Sequence, residues 1–282
     1  MADDASQPPA GVGWARGLHA PDASTVDPAA YFEYIGRWSS LFVPALLRLG
    51  AVSLGDLVLD VASGPGEAAE PAADMVGMPG RVVGLDISTA MLRAARARLP
   101  GASCTWVAAD AQRMPFADGR FDAVVCQLGL MFLPDPGAGL SEFRRVLRPG
   151  RRAAVCVIGT AERAPLWSYL AAALSHVLPA ERETLHLSFA LGDPHRLEDL
   201  FTSAGFSDVG VRPQQAHADL GTFEHYWHVV ETASGSMPHA YRTLAAAERD
   251  HVRDEVRRKM AAHEVDGLLR VPVEMLLADG RA

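Results

Sequence analysis

Short apolar runs alternate with amphipathic stretches in the middle of the chain, between about residues 57 and 158. The runs have the length of strands that are buried on both faces, and the stretches between them repeat apolar residues with the period of a helix. This alternation predicts a parallel sheet with right-handed helical crossovers. The predicted strands are Leu57–Val61, Arg81–Asp86, Thr105–Ala108, Phe121–Gln127 and Ala153–Ile158.

The pattern divides the chain into four parts. Residues 1–28 are rich in Ala, Pro, Asp and Gly without periodicity, so we expect a mobile N-terminal arm. Residues 29–50 are expected to form lid helices, and residues 51–160 the core of the sheet. Residues 161–282 are expected to add strands at Val209–Arg212 and Leu268–Leu276, with a charged helical stretch over about 222–264 as a substrate cap.

Composition narrows the classes of protein. The formal net charge of -8 disfavours a phosphate backbone as partner, so we expect no nucleic-acid binding. No apolar run is long enough to span a bilayer, and the acidic start lacks the order of a signal peptide. Cys104, Cys126 and Cys156 lie in strand-like runs without metal-ligand spacing, which predicts no metal site and suits a reducing cytoplasm.

A glycine-rich turn follows the first predicted strand, in residues 58–69 (VLDVASGPGEAA). Small residues let a ligand approach the backbone, and the free N–H groups of the next helix face that ligand. Asp86, at the end of the second strand, is placed to accept both hydroxyls of a ribose. The spacing Gly64-x-Gly66-x-x-Ala69 before Asp86 also satisfies the dinucleotide fingerprint, so these residues alone leave a nicotinamide cofactor open.

Three further features favour S-adenosylmethionine (SAM) over a dinucleotide. A carboxylate at Asp60 would repel a pyrophosphate but attract the ammonium of a methionine group. Pro65 removes one backbone donor that a phosphate cradle needs. Asp110, after the third strand, is placed to accept from an adenine amino group. The structural alternatives are that Asp86 caps the helix near Ser88 and that Asp110 caps a turn.

Several motifs resemble those of class I SAM-dependent methyltransferases. Residues 58–66 resemble the first motif of this class, and residues 83–92 (VGLDISTAML) resemble the motif that follows. Residues 109–116, 129–135 and 145–150 resemble the segments around the third and fourth strands. The chain is most similar to the ubiquinone/menaquinone-biosynthesis-like small-molecule methyltransferases. The resemblance implies an α/β, Rossmann-like, seven-stranded and mostly parallel sheet, with the last strand antiparallel, helices on both faces and a helical cap.

The resemblance also implies a set of site residues. The expected cofactor contacts are Asp60, Ala62, Ser63, Gly64, Gly66, Asp86, Ile87, Met91, Asp110, Ala111, Gln127 and Leu128. The expected substrate contacts are Tyr31, Tyr34, Trp38, Phe132, Trp167 and Trp227. Aromatic faces near a sulfonium gain about 0.5–2 kcal/mol of cation–π attraction. Plain packing of an amphipathic helix on the core explains the aromatic residues of the lid equally well.

Methyl transfer from SAM is an in-line displacement that yields S-adenosylhomocysteine, so the protein mainly aligns the acceptor and excludes water. A general base is needed only if the acceptor holds its proton at neutral pH. The candidates are Tyr34, Tyr169 and His176, although a boundary tyrosine and a solvated histidine explain the last two without chemistry.

The acceptor is expected to be a small molecule with an apolar or aromatic body, such as a secondary metabolite or a quinone-like compound. Gln127-Leu128-Gly129-Leu130 stands where many amino-methylating nucleic-acid enzymes carry an Asn-Pro-Pro-aromatic motif, which favours a small acceptor. The sequence leaves O-, N- and C-methylation open, and either a monomer or a homodimer. An NAD(P)-dependent oxidoreductase and a non-catalytic SAM-binding protein are the alternative functions.

Overall fold

The computed structural model describes residues 28–101, 103–233 and 235–282. The arm predicted over residues 1–28 therefore lies outside the described residues, apart from Pro28. The eight strands of the described chain are β1 Leu57–Val61, β2 Arg81–Asp86, β3 Cys104–Ala108, β4 Phe121–Gln127, β5 Leu147–Ile158, β6 Ser207–Gly221, β7 Glu264–Val265 and β8 Leu268–Arg281.

The sheet has the strand order β3-β2-β1-β4-β5-β8-β6. The strands from β1 to β5 pair in parallel, whereas β8 is antiparallel to both β5 and β6. These seven strands confirm the predicted fold class. The two-residue β7, which pairs with the start of β8, was not predicted from the sequence.

Helices surround the sheet, and the sequence marks where several of them begin. Ser88, Asp135 and Asp193 each accept a hydrogen bond from a backbone N–H of the first turn that follows them. The α-helices are α1 Pro28–Tyr31, α2 Arg37–Ser39, α3 Val43–Leu49, α4 Ala69–Val76, α5 Thr89–Arg98, α6 Pro136–Val146, α7 Pro165–Val177, α8 Arg182–His186, α9 Pro194–Ser203, α10 Phe223–Thr232, α11 Ser236–Thr243 and α12 Ala246–Met260.

The central strands are almost wholly apolar because both faces of the sheet are covered. Every residue of β4 except Gln127 is buried, and so is every residue of β1 after Leu57. Asp60, in the middle of this apolar environment, has no solvent exposure. A buried carboxylate at that point needs a specific partner or a function.

The last two long strands extend beyond their predicted ends, Arg212 and Leu276, because β6 pairs with β8 as far as Gly221 and ion pairs hold the polar end of β8. The carboxylate of Asp279 is 2% exposed and accepts hydrogen bonds from Arg152 at 2.8 Å and from Arg212 at 2.6 Å. These contacts tie β5, β6 and β8 together. Hydrophobic periodicity does not reveal such a cluster, which is why the predicted strands were too short.

A π-helical turn over Phe32–Gly36 interrupts the lid helices. A turn of this kind shifts the faces of the helix, because its hydrogen bonds span one residue more than those of an α-helix. Tyr31 and Ile35 consequently line the large cavity described below, whereas Tyr34 and Trp38 are packed into the interior.

The stretch predicted as a substrate cap folds as α10, α11 and α12, between β6 and β8. The Trp227 ring stacks on Phe223 with 5.7 Å between ring centroids, and the Tyr241 ring meets it edge-on at 5.1 Å. These aromatic residues hold the cap together, while Met237 of α11 reaches the cavity.

The position of the cavity follows from the topology. The chain moves from β1 outward to β3, and then returns to the other side of β1 with β4 and β5. Where the strand order reverses in this way, a crevice opens at the carboxyl ends of the strands, and ligands bind there in open α/β sheets.

Candidate active site

A cavity of about 1270 Å³ lies at the carboxyl ends of the parallel strands. The residues that line it follow β3, β2, β1 and β4, and include Ile158 at the end of β5. We call the part after β1, β2 and β3, together with Gln127 and Leu128 at the end of β4, the cofactor end. The opposite part, formed by Ile35, Met131, Ile158, Trp167, Ser188 and Met237, is the acceptor end.

The loops after β1 and β4 have unusual backbone conformations. Ala62 (φ 54°) and Leu128 (φ 52°) both adopt the left-handed region, and both line the cavity. Non-glycine residues hold such conformations at some cost, and they concentrate at functional sites. The two loops pack so closely that a Cβ added at Gly129 would lie 2.4 Å from the Cβ of Ala62.

Asp86, at the end of β2, is oriented by the backbone. One carboxylate oxygen accepts from the N–H of Gly64 and the other from the N–H of Ser88, each at 2.8 Å. Burial raises the pKa of Asp86, and these two hydrogen bonds oppose the rise. Asp86 therefore connects the glycine turn to the start of α5 and still lines the cavity.

Three carboxylates, Asp60, Glu67 and Asp86, influence one another beside the glycine turn, and we call them the carboxylate cluster. Burial raises the pKa of Asp60 well above its ordinary value, and the charges of Glu67 and Asp86 raise it further. Burial also raises the pKa of Glu67 to about 7, against the opposing charge of Arg98. The protein thus holds its acids where their negative charges are costly unless a cation joins them.

Buried polar atoms without partners gather around the same loops. Gln127 donates from its amide nitrogen to the carbonyl oxygen of Ser39 at 2.9 Å, which leaves its own carbonyl oxygen free. Within the described residues, no hydrogen-bond partner exists for Gln127 Oε1, Asp60 Oδ1, Asp60 Oδ2, Glu67 Oε1 or Ser63 Oγ. Four of these atoms are carbonyl or carboxylate oxygens, so the site fits a ligand with a cationic, hydrogen-bond-donating group such as the ammonium of SAM.

The loops after β2 and β3 form the outer part of the cofactor end. Asp110 is exposed, and one of its oxygens accepts from the backbone N–H of Gln112 at 2.8 Å. This is the turn-capping contact that sequence reasoning offered as an alternative, and Asp110 also belongs to the cavity lining. Ile87 is 38% exposed, which suits an apolar wall for a flat nucleobase.

The structure gathers most of the predicted cofactor contacts. Those that line the cavity are Ala62, Gly64, Asp86, Ile87, Met91, Asp110, Ala111, Gln127 and Leu128. Asp60, Ser63 and Gly66 lie behind this lining: the first two are buried, and a Cβ at Gly66 (φ 91°) would lie 3.0 Å from the Trp106 ring.

The predicted acceptor contacts divide into two groups. Tyr31, Phe132 and Trp167 line the cavity. Tyr34, Trp38 and Trp227 are not part of its lining and are at most 8% exposed.

The candidate bases lie elsewhere. The Tyr169 hydroxyl is 3.1 Å from Nε2 of His263, and Nδ1 of His176 is 3.0 Å from the buried Glu255. Neither Tyr169 nor His176 lines the cavity, and Tyr34 is buried with its hydroxyl unpartnered in the described structure.

Sequence reasoning missed several residues of the site, namely Glu67, Ile35, Met131, Ile158, Ser188 and Met237. Glu67 directly follows the glycine turn. Its side chain lies beside Gly36 of the lid, so closely that a Cβ added at Gly36 would be 2.7 Å from Glu67 Oε1. This contact depends on how the lid folds. Ile35, Ser188 and Met237 come from separate helical segments, and only the packing of the chain brings them to one cavity. The position of Glu67 in the turn was the one signal available in the sequence.

Comparisons with known proteins identify the family of this chain. Residues 58–150 match a family model described as a methyltransferase domain. The chain is 35% identical over 187 residues to the demethylmenaquinone methyltransferase of Renibacterium salmoninarum, which covers 62% of this chain and 75% of that protein. It is 33% identical over 136 residues to a phytylnaphthoquinone methyltransferase of Nostoc punctiforme, covering 45% of this chain and 59% of that one. Two further demethylmenaquinone methyltransferases are covered only to 44% and 56%.

A solved structure shows the same fold. The phosphoethanolamine N-methyltransferase 2 of Haemonchus contortus, in complex with SAM, superposes with a TM-score of 0.57 at 18% identity, covering 92% of this chain and 58% of that one. The chain belongs to the class I SAM-dependent methyltransferases. Within that class it is similar to quinone methyltransferases, and neither alternative function, an NAD(P)-dependent oxidoreductase or a non-catalytic SAM-binding protein, is supported.

Proposed function

We propose that the protein transfers the methyl group of SAM to a small, neutral acceptor with an aromatic body of the quinone type. The observation that carries this proposal is one cavity with two chemically different ends. The cofactor end adjoins the carboxylate cluster, and the acceptor end is formed mainly by apolar and aromatic side chains. This division matches a cationic methyl donor beside an apolar acceptor.

The residues of the cofactor end have distinct proposed roles. Asp86 accepts from the ribose hydroxyls, since two backbone N–H groups already fix its orientation. The carbonyl oxygen of Gln127 accepts from the ammonium, and Asp60 and Glu67 supply negative charge behind it. Asp110 accepts from the adenine amino group. When bound, SAM supplies an activated methyl group, and the protein orients the acceptor and excludes water.

The acceptor end argues for a neutral acceptor. Among its described residues, no side chain carries a charge or an imidazole. A charged acceptor would lose its hydration there without compensation. We therefore infer that the acceptor ring is activated by its own hydroxyl groups rather than by a protein base. The names of the quinone methyltransferases to which the chain is similar support this class of acceptor.

The compartment, the oligomeric state and the absence of nucleic-acid binding are also proposals. No helix in the described ranges has the length and apolar character needed to span a membrane. We propose a cytoplasmic monomer or homodimer that binds no nucleic acid, in keeping with the net charge of -8 and with three free cysteines.

The test is transfer of a labelled methyl group from SAM. The acceptors are naphthohydroquinone, kept reduced, and phosphoethanolamine as a charged comparison. We expect label in the naphthohydroquinone and none in the phosphoethanolamine. Asp86→Ala should reduce transfer at limiting SAM, whereas Asp74→Asn, which changes an exposed carboxylate on α4, should not. Transfer to phosphoethanolamine alone would overturn the proposed acceptor class.

A further inference from the structure

Ser188 belongs to a single 3-10 turn, Leu187–Phe189, that closes the acceptor end of the cavity. This turn packs against the turn Leu130–Phe132 that follows β4, and against β5. Ser188 thereby lies in the wall that also contains Ile158 and Trp167. The fold, rather than any local motif, brings this serine to the cavity.

The hydroxyl of Ser188 has no protein partner among the described residues. The residue is 8% exposed, and no side chain or backbone group of the described chain accepts from or donates to its hydroxyl. Two other buried serines are satisfied locally: Ser39 donates to the carbonyl oxygen of Gly36, and Ser175 to that of Ala171. Because Ser188 lines the cavity and protein atoms do not fully enclose its hydroxyl, a molecule that fills the cavity can supply the missing hydrogen-bond partner.

The other polar side chains that line the cavity beyond β4 already have fixed roles. The amide nitrogen of Gln127 donates to Ser39, and Asp135 accepts from the N–H of Ala138 at the start of α6. Trp167 directs its indole nitrogen toward the carbonyl oxygen of Tyr34, at 3.5 Å, and away from the cavity. Ser188 is the remaining polar side chain there, in a wall that is otherwise apolar.

We propose that Ser188 is a substrate-positioning residue whose hydroxyl hydrogen-bonds a ring oxygen of the methyl acceptor. The apolar wall holds the ring without preferring one rotation of it, and a single hydrogen bond selects the rotation. Ser188 therefore determines which ring atom faces the methyl donor. This inference rests on the proposed function, since it assumes an aromatic acceptor in the acceptor end.

The test compares two probes that differ only in their oxygens, naphthohydroquinone kept reduced and naphthalene. Their affinities are measured on the full chain saturated with S-adenosylhomocysteine, for wild type, Ser188→Ala and Ser188→Thr. Ser175→Ala is the matched control, because it removes an equally buried hydroxyl outside the cavity. S-adenosylhomocysteine affinity in each variant verifies that the cofactor end is intact.

We expect Ser188→Ala to weaken naphthohydroquinone by about 2- to 12-fold, the loss of one neutral hydrogen bond, and to leave naphthalene unchanged. Ser188→Thr should restore much of the affinity, and Ser175→Ala should change neither probe. Equal weakening of both probes, or of neither, would overturn the role of Ser188 alone. If wild type binds S-adenosylhomocysteine but neither probe, the proposed acceptor class fails, and the role of Ser188 fails with it.

Discussion

Glu67 offers a direct test of how the protein holds a cationic cofactor. Its pKa of about 7, against an ordinary value of 4.5, means that burial protonates about half of these side chains at neutral pH when no cation is present. Bound SAM favours the ionised form. SAM affinity should therefore fall as the pH drops below about 7, and binding in that range should release a proton.

The magnitude follows from the same pKa. A rise of about 2.5 pH units over the ordinary value corresponds to about 3.4 kcal/mol, at 1.36 kcal/mol per unit. If SAM restores the ordinary value completely, its affinity falls by about 80-fold between pH 7 and pH 4.5, out of a limiting total of about 300-fold between pH values well above 7 and well below 4.5. Because the folded pKa is raised, Glu67 stabilises the SAM-free protein fully below pH 4.5, and this contribution is lost as the pH rises through 7.

The assay is isothermal titration calorimetry with SAM in buffers of different ionisation enthalpy. The pH is varied from about 5 to about 8, a range that brackets the Glu67 pKa of about 7. Glu67→Gln should weaken the pH dependence and reduce the proton release, because only Asp60 and Asp86 of the cluster remain, and Asp74→Asn, on the exposed side of α4, should behave as wild type. A wild-type affinity that does not change over this range would refute the reasoning, as would an unchanged pH dependence in Glu67→Gln.

Three further changes test other parts of the account. Asp86→Ala should weaken SAM by about 1.5–3 kcal/mol, or roughly 10- to 160-fold by calorimetry, and Asp110→Ala by less; the reverse order would contradict the assigned roles. Gly129→Ala should lower the free energy of unfolding by about 1–3 kcal/mol, because the new Cβ would lie 2.4 Å from the Cβ of Ala62. An unchanged Tm in thermal unfolding would show that the two loops separate easily. Asp279→Ala leaves two arginines without their buried partner and should cost about 3 kcal/mol in urea unfolding, whereas a loss below about 1 kcal/mol would mean that the ion pairs contribute little.

The parallel core was predictable because each of its signals is local. Five apolar runs, helix caps such as Ser88 and Asp193, and the turn at Gly64 and Gly66 all act within a few residues of the chain. The extent of β6 and β8 was not predictable in this way. β6 continues because it pairs with β8, and Arg152 holds Asp279 near the end of β8; both interactions join segments far apart in the sequence.

The cofactor end was largely predictable for the same reason, since parallel strands bring their carboxyl ends to one edge of the sheet. The three acids grouped from the sequence and the three acids that interact in the structure differ in one member. Sequence reasoning grouped Asp110 with Asp60 and Asp86, whereas burial and charge in the structure couple Glu67 to those two. The acceptor end was not predictable, because a π-helical turn decides which lid residues face the cavity, and Met237 reaches it from the cap.

The central claim is that buried acids select a cationic ligand, and one comparison tests it most directly. Methylthioadenosine keeps the adenosine and the S-methyl group of SAM, but its sulfur is a neutral thioether and it lacks the amino-acid group, so it has neither the sulfonium nor the ammonium. Wild type should bind SAM at least roughly tenfold more tightly than methylthioadenosine, and Asp60→Asn should reduce that ratio while changing methylthioadenosine affinity little. A ratio that is the same in wild type and in Asp60→Asn would contradict the account.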